Sequence, residues 1–155
     1  MIGEAVWWIT IVDATLVRHH PDAYDAVLAS QTPAERQLAE GTLAGLRFVR
    51  NRMGHEVDHI DFIHPQASGP GPGHDPITAW TWNSVPQPAL ASLPPRGQAW
   101  EMTRYRAYQA HLAAHTVGEI FGRATAFLEL TASNAPQSPK RAQPPSQTSA
   151  RTPHD

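Results

Sequence analysis

The stretch Arg47-Phe-Val-Arg-Asn-Arg-Met-Gly-His-Glu-Val-Asp-His59 holds two overlapping arrangements that can do chemistry. The first is Arg50-Asn51 followed by His55. RNA is cut without a metal when one group takes the proton of a ribose 2′-hydroxyl while a cation steadies the charge growing on the phosphate. A histidine titrates near neutral pH and suits the first task. An arginine offers phosphate oxygens a planar fork of donors and suits the second. Asn51 can orient the histidine or bind a phosphate oxygen. Set across the expected end of a helix, the five-residue spacing lets Arg50 and His55 converge. The plainer account is a helix ending in solvated arginines with His55 at its cap, since so short an arrangement also recurs in unrelated chains.

The second arrangement is His55-Glu56-Val57-Asp58-His59, which matches the zinc-hydrolase pattern His-Glu-x-x-His. Histidines four apart share a helical face and can hold zinc, with Glu56 as general base. Gly54 stands where such a helix must run uninterrupted, and Asp58 adds a charge. His64 and His74, the candidate third ligands, lie in or beside a Gly/Pro loop. A solvated His-rich turn therefore explains the segment better than zinc, and no cofactor is expected.

These residues need elements to hold them. Residues 5–17 carry Val6, Trp7, Ile9, Ile11, Leu16 and Val17, which cover most of a helix and predict burial on more than one side. The pattern begins almost at Met1, leaving room for a longer chain upstream. Pro21 restarts the chain after a turn at His19-His20. Thr32-Pro33-Ala34-Glu35 is a helix start, with Thr32 as cap, Pro33 in the first position and Glu35 reaching back. That helix carries Leu38, Leu43, Leu46, Val49 and Met53, and Gly54 sits where a C′ glycine would end it. A further short helix is predicted over residues 55–63. Residues 64–76, with proline or glycine at nearly every second position, predict no regular structure. Trp80 and Trp82 alternate with threonines, as in a brief extended stretch or a helical turn covering the core. Residues 98–130 read as one long helix with Met102, Tyr105, Leu112, Thr116, Ile120 and Phe127 in a stripe. After Ser133 the chain has almost no apolar content and is expected to be disordered. The expected fold is all-α: a three- to four-helix bundle over residues 1–132 with a long Gly/Pro-rich connection, then a disordered tail over 133–155.

A chain of 155 residues suits one domain. Without cysteine it has no disulfides, thiolate metal site or cysteine nucleophile. The net charge of −2 excludes a broad basic surface, so any RNA contact is local. Arg47 and Arg52 beside the motif, and Arg104 and Arg106 in a second cluster, are the candidate RNA-binding cations, although arginines on a long helix more often form a solvated face. The five tryptophans read as core or dimer-interface aromatics, with base stacking a lesser option for Trp80 or Trp82. His111 and His115 read as surface or core-edge residues on one helical face. Residues 1–17 have no basic leader, and Glu4 and Asp13 interrupt them, so neither a signal peptide nor a membrane span is expected, and the cytoplasm is.

Gly45-Leu-Arg-Phe-Val-Arg-Asn-Arg-Met-Gly-His55 resembles the HEPN family, whose signature is an arginine, a polar residue that is often asparagine, and a histidine some four to six residues beyond the arginine. The resemblance spans residues 5–132, of which about a dozen positions are specific. The helix beyond His55 is less smoothly apolar than is usual there. The resemblance implies a homodimer in which two arginine–histidine sets form one cleft. It also implies a metal-independent endoribonuclease, as in toxin–antitoxin, phage-defence or RNA-processing systems, with RNA as substrate and an antitoxin or regulatory protein as partner. Arg50 would then bind the phosphate and His55 move the proton. The alternative is a non-catalytic HEPN-like module that binds a protein or nucleotide.

Overall fold

The computed structural model describes residues 2–55, 61–67, 78–87 and 93–136. It is mostly helical, in the order α1 (Ile2–His19), α2 (Pro21–Ser30), α3 (Pro33–His55), β1 (Ile63–Ala67), β2 (Thr78–Trp82), α4 (Pro95–His111) and α5 (Val117–Asn134). Val6, Ile9, Thr10, Asp13 and Leu16 are buried along α1, a stripe at helical spacing. Trp7, Trp8, Val12 and Val17 stay exposed, so α1 buries one face and not the wider surface expected.

α3 is the central helix, with α1 and α4 packed against it. It starts as anticipated: Glu35 Oε2 accepts from the Thr32 N–H at 2.8 Å, and Thr32 Oγ1 accepts from the Glu35 N–H at 3.3 Å. The Thr32 hydroxyl, which donates to Glu35 Oε2 at 2.7 Å, and then the Thr32 N–H hold the exposed Glu35 carboxyl below its ordinary range. Buried Leu43, Leu46, Phe48 and Val49 follow. Gly41 and Gly45, one turn apart, let α4 close in. A Cβ at Gly45 would lie 2.5 Å from Leu112 Cδ1 and 3.1 Å from Tyr108 Cα. α3 runs through Gly54 to His55, so Gly54 lies inside the helix and not just past its end.

β1 and β2 pair antiparallel, with Ile63 opposite Trp82 and Pro65 opposite Trp80. The expectation of no regular structure from residue 64 fails here. A two-stranded sheet consists of edges, where a proline's missing N–H is tolerated. Of the expected helix over 55–63, residues 56–60 lie outside the described residues, and Ile63 already belongs to β1. Trp82 is buried while Trp80, two residues earlier and so on the same face of the strand, is exposed: that face meets the core at its Trp82 end and extends past it at Trp80. The hairpin caps the core through rings: Phe62 packs 5.7 Å from Tyr108, and Trp82 lies 6.3 Å from both Tyr108 and Phe121. The Tyr108 hydroxyl donates to the Asn83 carbonyl, and burial pushes its pKa well above the ordinary phenol value.

The single long helix predicted for residues 98–130 is two helices. Ala114 adopts φ 66° in the turn between them, and Thr116 Oγ1 accepts from the Glu119 N–H at 3.2 Å to start α5. This turn lies along β2, where the Ala114 N–H donates to the Trp82 carbonyl and the Trp82 N–H to the His115 carbonyl, both at 2.9 Å. α5 reaches Asn134, past the expected boundary at 132. Residues 137–155, most of the expected tail, lie outside the described residues. Among the described residues no helix is long and apolar enough to cross a membrane.

Candidate functional site

α1 and α4 both run antiparallel to α3. Trp7 meets Arg50 and Asp13 meets Arg47 on one flank, while Glu101 meets Asn51 on the other. Arg47, Arg50, Asn51 and Arg52 therefore sit between two neighbours, which use them differently.

Arg47 is tied inward. Its Nε donates to Asp13 Oδ2 at 2.8 Å, a terminal nitrogen donates to the same oxygen, and the Tyr24 hydroxyl donates to Asp13 Oδ1 at 2.9 Å. Asp13 is 0% exposed, so its charge is stabilised only by this enclosed set. Burial first, and then the charge of Asp13, raise the Tyr24 phenol well above its ordinary value. The network joins α1, α2 and α3.

Arg52 is also tied inward, on the opposite flank. Its Nε lies 3.3 Å from Glu101 Oε1, its guanidinium carbon is 5.8 Å from the Phe48 ring centre, and its side chain is 9% exposed. Glu101 Oε2 accepts from Asn51 Nδ2 at 3.3 Å and faces an Arg104 terminal nitrogen at 3.9 Å. One buried carboxylate thus joins Asn51 and Arg52 of α3 to Arg104 of α4.

Arg50 is placed otherwise. Its guanidinium carbon lies 4.3 Å from the centre of the Trp7 ring, close enough for cation–π attraction. Among the described residues no carboxylate pairs with it. Arg104 lies 5.8 Å from the Trp100 ring centre, and Arg106 is exposed on α4.

His55 is the last residue of α3. The helix therefore continues through Gly54 to this residue. Five residues on a continuous helix place Arg50 and His55 about 140° apart around the axis. Asn51 and His55, one turn apart, share a face. Of the zinc arrangement, Glu56, His59 and His74 lie outside the described residues, and His64 is exposed on β1. Among the described residues no group of three or more His, Asp or Glu side chains can hold a metal.

His111 ends α4 and His115 lies in the following turn, so the two do not share one helix face. His115 Nδ1 is 3.2 Å from Glu119 Oε2.

Asp13, Tyr24, Glu101 and Trp7 were not anticipated as partners of the motif. Asp13 did leave a signal: an acid within an apolar stripe calls for a buried cation. Glu101 left none, because its position on α4 is set by the packing of Gly45 against Tyr108 and Leu112. No protein-family model, curated protein or solved structure matches the chain.

Proposed function

We propose that this chain is a metal-independent endoribonuclease of the HEPN type, a cytoplasmic toxin or defence component that acts as a homodimer under an antitoxin or regulatory partner. One observation carries the reading: of the three clustered arginines, Arg47 and Arg52 are engaged by buried acids, while Arg50 lies over Trp7 without a carboxylate partner among the described residues. A phosphate meeting Arg50 displaces no ion pair among the described residues, and the ring already restricts the guanidinium. Asn51, held by Glu101, is the supporting residue.

In the proposed reaction His55 takes the proton from a ribose 2′-hydroxyl. The 2′-oxygen then bonds to the adjacent phosphorus, and the bond to the 5′-oxygen of the next nucleotide breaks. That oxygen leaves with a proton returned by the imidazolium, giving a 2′,3′-cyclic phosphate and a 5′-hydroxyl. Arg50 neutralises charge on the non-bridging oxygens throughout. The angular separation of Arg50 and His55 on α3 favours a centre completed by a second copy, with the arginine of one subunit facing the histidine of the other.

The test is cleavage of single-stranded RNA by wild type, Arg50→Ala and His55→Ala in the presence of EDTA. Wild type is expected to cut, and both variants to lose activity with an unchanged melting temperature. Cutting by His55→Ala at the wild-type rate overturns the assignment.

A second reading, a non-catalytic binding module, is favoured by the contact of Asn51 with Glu101, which gives the asparagine a structural task. It predicts a folded protein that cuts no RNA and whose partner binding depends on the exposed tryptophans.

A further inference from the structure

Four of the five tryptophans stand exposed: Trp7 (50%), Trp8 (59%), Trp80 (47%) and Trp100 (64%). An exposed indole leaves a large apolar surface in water, and four in a small domain call for an explanation. Two of them differ from the rest, because Trp7 lies under Arg50 and Trp100 beside Arg104. Both pairs belong to the same end of the bundle. Trp7 touches the helix position next to Asn51, and Trp100 precedes Glu101, which touches Asn51 itself. α1 and α4 flank α3, and packed helices lie about 8–10 Å apart, so the two helix axes that carry the indoles are at most roughly 20 Å apart. A few nucleotides of single strand cover that distance.

We infer that the Trp7–Arg50 and Trp100–Arg104 pairs form a binding surface for single-stranded nucleic acid, with each indole taking an unpaired base and each guanidinium a phosphate beside it. The pairing of ring and cation selects this ligand. Indole faces accept any base by stacking, and neighbouring arginines meet the backbone that joins the bases. A duplex hides its base faces and offers no such partner. Charge points the same way. Arg50 has no acidic partner among the described residues, and Arg104 meets Glu101 only at 3.9 Å. Glu4, a turn before Trp7 and Trp8, is the acidic residue of the first turn of α1 and opposes this only locally. The surface shares Arg50 with the proposed nuclease centre and rests on that reading for RNA as its ligand in the cell, but binding does not require cutting.

The experiment uses the full chain and a fluorescein-labelled oligo-deoxyuridine of about ten nucleotides, whose sugars lack the 2′-hydroxyl and cannot be cut, read by anisotropy. Wild type is expected to bind it, and more weakly a duplex of equal length. Trp7→Ala and Trp100→Ala should each weaken binding by about 5- to 150-fold, the loss expected for one stacked base. Trp7→Phe and Trp100→Phe should keep most of the affinity, because a smaller ring still stacks. Trp8→Ala is the control: it removes an indole equally exposed but without an arginine over it among the described residues, and should bind as wild type. Melting curves of each variant separate lost binding from lost fold. The inference is overturned by absent binding in wild type, by unchanged binding in both alanine variants, or by an equal loss in Trp8→Ala. Self-association that Trp7→Ala abolishes, with no oligonucleotide bound, overturns it in favour of a protein contact. Binding without RNA cleavage removes the proposed catalysis and leaves the surface standing. Cleavage with a KM indifferent to both alanine variants does the reverse.

Discussion

Glu101 Oε2 on α4 stands 3.3 Å from Asn51 Nδ2 on α3, and this contact decides which way the asparagine amide faces. A carboxylate accepts only, so the amide must present its nitrogen to Glu101 and keep its carbonyl oxygen for another partner. That oxygen suits a donor such as an imidazolium or a ribose hydroxyl. It does not suit a phosphate oxygen, for which the amide has one remaining N–H.

Glu101→Ala removes the carboxylate from Asn51, Arg52 and Arg104 together. It leaves the largely buried Arg52 guanidinium with one carboxylate fewer, whereas Arg104, at 28% exposed, can turn to water. A loss of about 2–4 kcal/mol is expected, within the range for breaking buried charged contacts. Urea denaturation measures it, and a loss under about 0.5 kcal/mol, the scale of a surface pair, would show that Glu101 does not hold α3 to α4.

Asp13 and Arg47 predict an ordered pair of effects. Arg47 is 35% exposed and can rehydrate when Asp13 is removed, but Asp13 at 0% cannot when Arg47 is removed. Arg47→Ala should therefore cost about 3–5 kcal/mol and Asp13→Asn about 1–3, because the amide still accepts from Tyr24. Equal losses in urea melts would show that water reaches the Asp13 pocket.

How much of this was legible in the sequence varies with the physical signal. The start of α3 was plain, because Thr32, Pro33 and Glu35 act within one turn and need no tertiary partner. The break between α4 and α5 was missed although Thr116-Val-Gly-Glu119 is itself a capping box. Leu112, Thr116 and Ile120 keep helical spacing through the turn and so mask it. β1 was missed because Pro65 suggested a loop, and only the pairing with β2 makes an edge proline acceptable. At the site, Arg47, Arg50 and Arg52 look alike in the sequence. Their different placements come from Asp13, Trp7 and Glu101, residues 34, 43 and 49 positions away, which no local pattern links to them.

Ala114 gives a prediction from backbone strain. Its φ of 66° lies in the left-handed region, which costs a residue with a Cβ about 1–2 kcal/mol. The position is fixed because its N–H pairs with Trp82 and the next residue's carbonyl does likewise. Ala114→Gly should raise stability by roughly 0.5–1 kcal/mol, as the relief exceeds the added entropy of the unfolded chain. A lower melting temperature would mean that the turn relaxes without strain.

His111 predicts how stability depends on pH. Its ring packs against Gly41, where a Cβ would come within 2.2 Å of its Cδ2, and it faces Arg123 and His115. Burial first, then these two groups, lower its pKa below the ordinary value of 6.5. The unfolded chain therefore binds a proton more readily at this site than the folded one does. Its contribution is complete above about pH 6.5, near the ordinary histidine value, and is lost as the pH falls toward the lower folded value. His111→Gln keeps a polar side chain there but cannot titrate. The wild-type urea midpoint should drop between pH 7.5 and 5.5 by more than that of the variant. Identical drops would show that His111 takes up its proton as easily folded as unfolded, and that the packing against Gly41 leaves the ring in water.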